Sequence, residues 1–514
     1  MFDINWQSVL DQLAYDPQNP MIFSTGIFLF LFLGFTLIYN LLGKDKTTTA
    51  RLLFVTLFSY YFYYKSSGFY FYLLLIVSLV DFMLAYLIYR NNVKAGLLTE
   101  EQVQKRKLPV NRLLLGLSLA VDLGILIYFK YTNFFGQTWA DLVGGHWEKL
   151  DIILPVGVSF FTFQSLSYTF DTYRGKMKPL TNFLDYAFFV SFFPQLVAGP
   201  IVRAKDFIPQ IRKPLFVSKQ MFGRALFLIM AGLLKKAVIA DYISVNFVDR
   251  VFEQPDLYSG VENLLGLYAY CIQLYCDFSG YSDMAIGIAL MLGFTFPKNF
   301  DAPYKSQSVT EFWRRWHISL SFWLRDYVYI SLGGNRHGLF RQCFNVGMVM
   351  VVGGFWHGAG VNFLLWGVFQ GLMLVIEKLY MDWRKKRNPS YHLMKRKTGF
   401  TGLMRQLITF HIFMFSLTYF RSQSFESGTM MLTQIFDNFS PQVFIQWIEG
   451  YWGVALLLVI GFVTHLLPAK VSDKVTSGIT RMPLVTQALL LVIVIYVVIQ
   501  MKTADVQPFI YFDF

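Results

Sequence analysis

Long apolar runs separated by short polar loops make up most of this chain. An apolar helix of about 20 residues is long enough to cross the hydrocarbon core of a bilayer. Three apolar stretches, at 182–198, 281–296 and 318–333, are predicted to be re-entrant or interfacial. The pattern predicts twelve crossing segments, several of them short enough to require tilting, breaks or neighbouring helices, at 21–43, 52–64, 69–89, 113–130, 152–171, 222–240, 262–280, 340–357, 361–380, 406–420, 452–468 and 483–501.

The composition supports the membrane class. Hydrophobic residues make up 55% of the 514 and charged residues only 15%, whereas soluble domains carry about 25% charged residues. We therefore expect an all-α integral membrane protein with about 11–12 transmembrane helices plus re-entrant helices. The whole chain, 1–514, is predicted to form a single polytopic membrane domain.

The net charge of +13 follows the topology. Most of the 45 Lys and Arg lie in alternate loops, and the loops between them are acidic or neutral. The positive-inside rule places the basic loops in the cytoplasm. With twelve crossings, both termini are then expected outside, and nucleic-acid binding is not expected. The basic loops are 44–51, 90–112, 174–224, 298–341, 378–405 and 470–481.

A histidine in an apolar, glycine-rich run is the first candidate for chemistry. His357 lies in VMVVGGFWHGAGVNFLLWG, and a titratable group inside a membrane segment is by default a functional hypothesis. Flanking glycines allow close helix approach or a break that lines a cavity. A neutral imidazole there could act as general base. The alternative is a buried structural histidine that bonds a neighbouring helix, and the residues alone leave the two evenly balanced.

A second histidine lies in basic and aromatic surroundings. On a continuous helix His317 would share a face with Trp313 and Trp316, with Arg314 and Arg315 to the side. Arginines match phosphate oxygens, and tryptophans can stack on an adenine or a sugar. An interfacial helix with snorkelling arginines would give the same pattern, although it would not require the histidine.

Two carboxylates complete the candidate set. Asp277 and Asp283 lie in LYCDFSGYSDMAIGIALMLGF, where they are predicted to flank a helix break. Capping of the second helix, or an ion pair with a membrane arginine, is favoured over direct proton transfer. Arg325 is a further supporting candidate. Two carboxylates without an oxygen-rich cage do not predict a metal site.

At these motifs the chain resembles a known family. The segments FWRRWHISLSFWLRDYVYISLGGNR, FWHGAGVNFLLWG, LPVGVSFFTFQSLSYTFDTYRG, FFPQLVAGPIVRA and QLYCDFSGYSDMAIGIALMLGFTFPKNFDAPY are similar to those of membrane-bound O-acyltransferases (MBOAT). Within that family they most resemble the bacterial alginate O-acetyltransferase branch. The resemblance covers 150–380, which would be the catalytic core, with flanking transmembrane helices in 1–149 and 381–514. It implies a multi-helix bundle around a tunnel.

The resemblance also implies a reaction and a location. His357 matches the family's catalytic histidine, and His317 matches a second signature position that is Asn or Asp in many eukaryotic members. Acetyl-CoA would enter from the cytoplasm as the acyl donor, with no permanently bound cofactor. From the residues we infer that a basic mouth built from Arg314, Arg315, Arg325 and Arg336 would attract it. His317 or a backbone N–H near the glycines would stabilise the oxyanion. The protein would lie in the bacterial inner membrane.

The acceptor and the competing functions stay open at this point. The expected acceptor is an exported polysaccharide, such as alginate, reached directly or through a periplasmic acetyltransferase. The alternative within the enzyme class is D-alanyl transfer to teichoic acid. A different class is a polysaccharide or lipid transporter, which would predict paired broken helices in two similar halves.

Overall fold

The protein is described by a computed structural model that covers residues 6–43, 48–388, 396–501 and 509. Over these residues the chain forms helices and no strand. Both termini and parts of the basic loops 44–51 and 378–405 lie outside the described residues. The helices are α1 (Trp6–Leu13), α2 (Gly26–Leu41), α3 (Thr48–Ser67), α4 (Phe71–Lys94), α5 (Glu100–Lys105), α6 (Pro109–Leu126), α7 (Thr132–Val143), α8 (Val158–Tyr173), α9 (Phe183–Ser191), α10 (Phe193–Leu196), α11 (Ala204–Ile211), α12 (Lys219–Leu233), α13 (Asp241–Ile243), α14 (Asp249–Glu253), α15 (Gly260–Met291), α16 (Val309–Trp313), α17 (Ile318–Trp323), α18 (Gly338–His357), α19 (Val361–Arg387), α20 (Gly399–Arg421), α21 (Phe425–Asp437), α22 (Val443–Gly450), α23 (Trp452–Leu466), α24 (Ala469–Arg481) and α25 (Leu484–Met501).

Every predicted crossing segment coincides with a helix, but fewer helices than predicted meet the requirements for a membrane span. Six helical stretches of the described chain are long and apolar enough when α3 and α4, and likewise α6 and α7, are counted as one stretch each, and a bent α22–α23 pair would make seven. The predicted count of about 11–12 is therefore not reached by this criterion. The helices α2, α8, α12 and α23 have only 15 or 16 residues, whereas a straight crossing needs about 20.

The stretches expected to be re-entrant behave differently from one another. The 182–198 stretch is broken at Phe192 into α9 and α10. The 318–333 stretch is α17 followed by a π-helical turn, Leu324–Tyr329. The prediction for 281–296 is wrong for residues 281–291, because α15 continues without interruption to Met291.

The described chain forms two compact units, residues 1–225 with 285–297, and residues 226–284 with 298–514. In the first unit α4, α6 and α8 pack together around buried polar groups. The Asp81 carboxylate accepts hydrogen bonds from Ser118 Oγ at 2.6 Å and from Ser165 Oγ. Ser165 Oγ lies 2.8 Å from Tyr186 Oη. Hydrogen bonding of this kind offsets the cost of burying a carboxylate among apolar helices.

The second unit contains both candidate histidines. Its centre is a hairpin of α18 and α19, against which α16 and α20 pack. Large buried aromatic side chains fill the space between these helices. The single-domain organisation and the 150–380 core stay predictions.

Candidate active site

His357 is the last residue of α18, and a short glycine turn connects it to α19. Gly358 and Gly360 flank the helix ends in extended conformation, with φ of −161° at each. A Cβ atom added to Gly358 would lie 2.1 Å from the Phe363 ring, so a side chain there would displace the start of α19. The turn holds His357 at the closed end of the hairpin.

The hairpin is unusually close because glycines face each other across it. A Cβ on Gly354 would lie 2.5 Å from the Phe363 carbonyl oxygen and 2.9 Å from Gly367 Cα. A Cβ on Gly367 would lie 2.6 Å from the Met350 carbonyl oxygen. Small residues of this kind allow helix backbones to touch in membrane proteins. The expectation of close helix approach beside His357 is confirmed.

The imidazole of His357 lies in an aromatic enclosure. The side chain is 3% exposed. Its ring centroid lies 5.0 Å from Trp356, 5.4 Å from Trp366 and 5.4 Å from Phe420. These residues come from α18, α19 and α20. Three helices therefore surround the imidazole with aromatic rings.

His317 lies in a turn and not on a helix. The predicted helix through Trp313, Trp316 and His317 is wrong, because α16 ends at Trp313 and α17 begins at Ile318. His317 itself has φ of 42°, in the left-handed region that non-glycine residues seldom adopt. Strained backbone of this kind is found at functional sites more often than elsewhere.

Two hydrogen-bonded backbone contacts hold this conformation in place. Ile318 N–H donates to the Asn299 carbonyl oxygen at 2.9 Å, and Asp301 N–H donates to the Arg315 carbonyl oxygen at 2.9 Å. The 299–301 segment therefore brackets His317 on both sides. The side chain is 1% exposed, and burial lowers the pKa of His317 to about 3. The ring is neutral at physiological pH.

The two histidines belong to one aromatic cluster. The ring of Trp356 lies 6.0 Å from that of His317 and 5.0 Å from that of His357. Trp313 contacts Trp366 at 5.7 Å, and Trp366 in turn contacts His357 at 5.4 Å. The sequence separates these histidines by forty positions, and the fold places a single tryptophan between them.

The tryptophans of the WRRW motif differ in their surroundings. Trp316 is buried among Phe300, Phe312 and Phe413, with ring centroids 5.1–5.7 Å away. It is packed as a core residue and is not placed to stack on a ligand. Trp313 is partly exposed, and its Nε1 donates to Gln370 Oε1 at 3.3 Å.

The arginines of the predicted basic mouth also differ from one another. Arg314 is exposed. Arg315 forms ion pairs with Glu311 at 2.9 Å and Asp301 at 3.2 Å. Arg325 pairs with Asp326 at 2.7 Å. Positive charge that is already neutralised attracts an anion less strongly, so Arg314 and Arg336, which are both exposed, are better placed than Arg315 and Arg325 to meet a polyanionic ligand.

The two carboxylates of α15 form ion pairs with consecutive lysines. Asp283 pairs with Lys235 at 2.7 Å, and Asp277 pairs with Lys236 at 2.5 Å. Lys236 also contacts Asp241 at 2.7 Å. The expected ion pairs are present with lysine in place of arginine. The expected helix break and capping role are wrong, since α15 runs unbroken through both residues.

Some residues of this cluster gave no signal in the sequence. Asn299 follows a phenylalanine, a proline and a lysine and looks like an ordinary loop residue. Glu377 is half-buried on α19, and its carboxylate accepts from Val309 N–H at 2.7 Å and Thr310 N–H at 3.1 Å, at the start of α16. Among the described residues no group of three or more His, Cys, Asp or Glu is placed to hold a metal ion.

Comparison with known proteins decides the family. Residues 27–422 match the sequence profile of MBOAT, the membrane-bound O-acyltransferase family. The chain belongs to this family. It is a multi-pass membrane O-acyltransferase, and the fold class and enzyme class predicted from the sequence are confirmed.

Relatives within the family differ in what their names say they modify. The chain is 35% identical to a Pseudomonas putida protein named probable alginate O-acetylase AlgI, over 96% of this chain and 100% of the relative. It is 38% identical to the peptidoglycan O-acetyltransferase of Helicobacter pylori, over 62% and 64%. It is 27% identical to the teichoic acid D-alanyltransferase of Bacillus subtilis, over 54% and 72%.

Proposed function

We propose that this O-acyltransferase passes acetyl from cytoplasmic acetyl-CoA to an exported polysaccharide, with His357 as the general base. The observation that carries the proposal is the placement of His357. It is a buried imidazole at the closed end of a glycine-packed hairpin, joined through Trp356 to a second buried histidine. The full-length similarity to a protein named as an alginate O-acetylase supports acetyl as the group and a polysaccharide as the acceptor.

In the proposed reaction His357 removes the proton of the acceptor hydroxyl while the hydroxyl oxygen attacks the thioester carbonyl. The new C–O bond forms, the C–S bond breaks, and the proton passes to the departing thiolate, so atoms and charge balance. The developing oxyanion needs fixed donors. The backbone N–H groups around Gly358 and Gly360 are the donors that we favour, because they lie next to the base.

The donor would enter from the cytoplasmic side of an inner-membrane protein. Arg314 is exposed and would attract the phosphates of CoA, with Trp313 beside it to contact the carrier. Arg315, Arg325 and Trp316 would then support the segment. On the outer side the acetyl group would pass to the polysaccharide directly or to a periplasmic acetyltransferase partner. Both termini would be periplasmic.

The decisive experiment replaces the base and measures chemistry and folding separately. His357→Ala, purified in lipid nanodiscs, should consume no acetyl-CoA thioester above background. It should still insert and elute as the wild type does. His146→Ala is the matched control, since His146 is exposed and distant in sequence. Wild-type thioester consumption by His357→Ala would refute the assignment of the base.

D-alanyl transfer is the second candidate, and the similarity to a teichoic acid D-alanyltransferase supports it. The two functions differ in the acyl donor. The wild-type protein should consume acetyl-CoA and leave a D-alanyl carrier-protein thioester intact. The opposite preference would establish the second function.

A further inference from the structure

We propose that Asn299 is a positioning residue that holds His317 in the Nδ1–H tautomer, so that Nε2 accepts a hydrogen bond from a substrate. The inference rests on the proposed function for the identity of the ligand. The tautomer itself follows from local geometry, and it can be measured without any turnover. It assigns His317 the role of an acceptor, whereas stabilisation of an oxyanion requires a donor.

Hydrogen bonds on both sides define the orientation of the Asn299 amide. A backbone N–H can only donate, and Ser319 N–H points at Asn299 Oδ1 at 3.2 Å. Ser319 Oγ donates to the same oxygen at 2.9 Å. On the other side Asn299 Nδ2 donates to Ser282 Oγ at 3.1 Å. The oxygen of the amide therefore faces the His317 segment, and the nitrogen faces α15.

The orientation of this amide defines which nitrogen of the imidazole carries the proton. His317 Nδ1 lies 3.3 Å from Asn299 Oδ1, and this amide oxygen can only accept. His317 Nδ1 must therefore carry the hydrogen. A neutral imidazole has one N–H, so Nε2 has the lone pair. No acid lies within hydrogen-bonding distance of the ring among the described residues, so no neighbouring charge favours the doubly protonated form.

His317 Nε2 is the ring nitrogen that can accept a hydrogen bond. This atom is buried and has no hydrogen-bond partner among the described residues. The rings around the imidazole are aromatic, with Phe278 at 4.6 Å, Trp356 at 6.0 Å and Phe300 at 6.3 Å between centroids. A buried acceptor without a donor costs free energy and is rare in folded proteins. A ligand that supplies an N–H or O–H would satisfy it.

Two parts of the proposed reactants carry such a donor. The acceptor sugar carries hydroxyl groups, and the arm of a pantetheine thioester carries amide N–H groups beside the sulfur. The thioester carbonyl and sulfur carry no hydrogen. In either case His317 Nε2 would orient the reactant through one hydrogen bond, and proton removal would remain with His357.

The test is a measurement of the tautomer in the full-length protein. Nitrogen NMR of ¹⁵N-histidine-labelled protein in nanodiscs distinguishes Nδ1–H, Nε2–H and the doubly protonated ring. The His317 signals are identified by their loss in His317→Gln. The wild type should show Nδ1–H. Asn299→Leu should shift the ring toward Nε2–H, and Ser282→Ala should leave Nδ1–H, because it removes only the partner of the amide nitrogen.

The activity arms identify the ligand. Asn299→Leu should lower kcat/KM about tenfold, the effect of one lost hydrogen bond. An increase confined to the KM for acetyl-CoA indicates the pantetheine arm, and one confined to the acceptor indicates a hydroxyl. Asn299→Asp places a carboxylate beside Nδ1 and favours the doubly protonated ring, whose Nε2 can only donate, so this variant should remain impaired. An Nε2–H signal in the wild type would overturn the proposal. A failure of acetyl transfer would leave the NMR result standing.

Discussion

The close approach of α18 and α19 gives the sharpest prediction about this protein, because two glycines on one helix differ only in what faces them. A Cβ on Gly354 meets the backbone of α19, at 2.5 Å from the Phe363 carbonyl oxygen and 3.0 Å from Gly367 N. A Cβ on Gly347, two turns earlier, meets nothing within 4 Å. Gly354→Ala and Gly347→Ala therefore add the same methyl group to the same helix in opposite surroundings.

The magnitude follows from the geometry. A methyl carbon needs about 3.5 Å from its neighbours, so Gly354→Ala requires the two helices to separate by roughly 1 Å. Overpacking of this kind costs about 1–3 kcal/mol. The higher helix propensity of alanine relative to glycine offsets at most about 1 kcal/mol of this cost. A displacement of about 1 Å at a catalytic group lowers the rate by about 10²-fold, and His357 lies three residues after Gly354.

Both variants should be compared in nanodiscs by thermal unfolding and by thioester consumption. Gly354→Ala should lose about 10²-fold in kcat and unfold at a lower temperature. Gly347→Ala should retain activity and unfold at the same or a higher temperature. Wild-type rate and stability in Gly354→Ala, or equal losses in both variants, would refute the reasoning about the hairpin.

Three further predictions concern charge and protonation in the second unit. Lys236→Met should destabilise the protein by about 3–5 kcal/mol, because it leaves two carboxylates without their shared cation. Asp277→Asn should cost less, because Asp241 remains as the partner of Lys236. Equal losses of unfolding free energy for the two variants in denaturant would contradict this. Glu377→Ala should lower the free energy of unfolding by about 1–2 kcal/mol, because it removes the acceptor for two N–H groups of α16. Backbone hydrogen exchange at 309–313 should become faster in Glu377→Ala, and less so in Glu377→Gln. The pKa of His317 in the folded protein, about 3, lies below that of an exposed histidine, about 6.5, so the unfolded chain binds the additional proton. The stability contributed by neutral His317 is present above pH 6.5 and is lost as the pH falls toward 3. The melting temperature of the wild type should therefore fall more between about pH 7 and pH 4.5 than that of His317→Gln, and parallel profiles would count against a neutral buried ring.

Part of the candidate site could be predicted from physical features of the sequence. A histidine in an apolar run is costly, and glycines beside it indicate a close helix approach, so His357 and its hairpin were predictable. The same reasoning did not find Asn299 or Lys236. Asparagine is common in loops, and a lysine at the end of an apolar helix is ordinarily read as a snorkelling residue.

Local periodicity failed where tertiary contacts determine the backbone. The spacing of Trp313, Trp316 and His317 fits one helical face, yet backbone bonds from the 299–301 segment turn the chain at His317. Asp277 and Asp283 looked like the borders of a break because of the intervening glycine. In the structure a Cβ on Gly280 would lie 2.9 Å from the Gly232 carbonyl oxygen, so this glycine serves helix packing inside an unbroken α15.

The class of molecule follows from the amino-acid pattern alone, because solvation in a bilayer imposes long apolar helices and alternating loop charge that can be read residue by residue. Its motifs also indicated the family and the two histidines. Which polar groups meet depends on how the helices and turns pack. Packing places Trp356 between His317 and His357, and it pairs two consecutive lysines with Asp277 and Asp283. It also places Asn299 beside the imidazole of His317, the residue whose backbone is left-handed. Apart from the adjacent pair Trp356 and His357, these contacts join residues 18 to 48 positions apart. No local pattern specifies them, because they depend on how whole helices and turns pack.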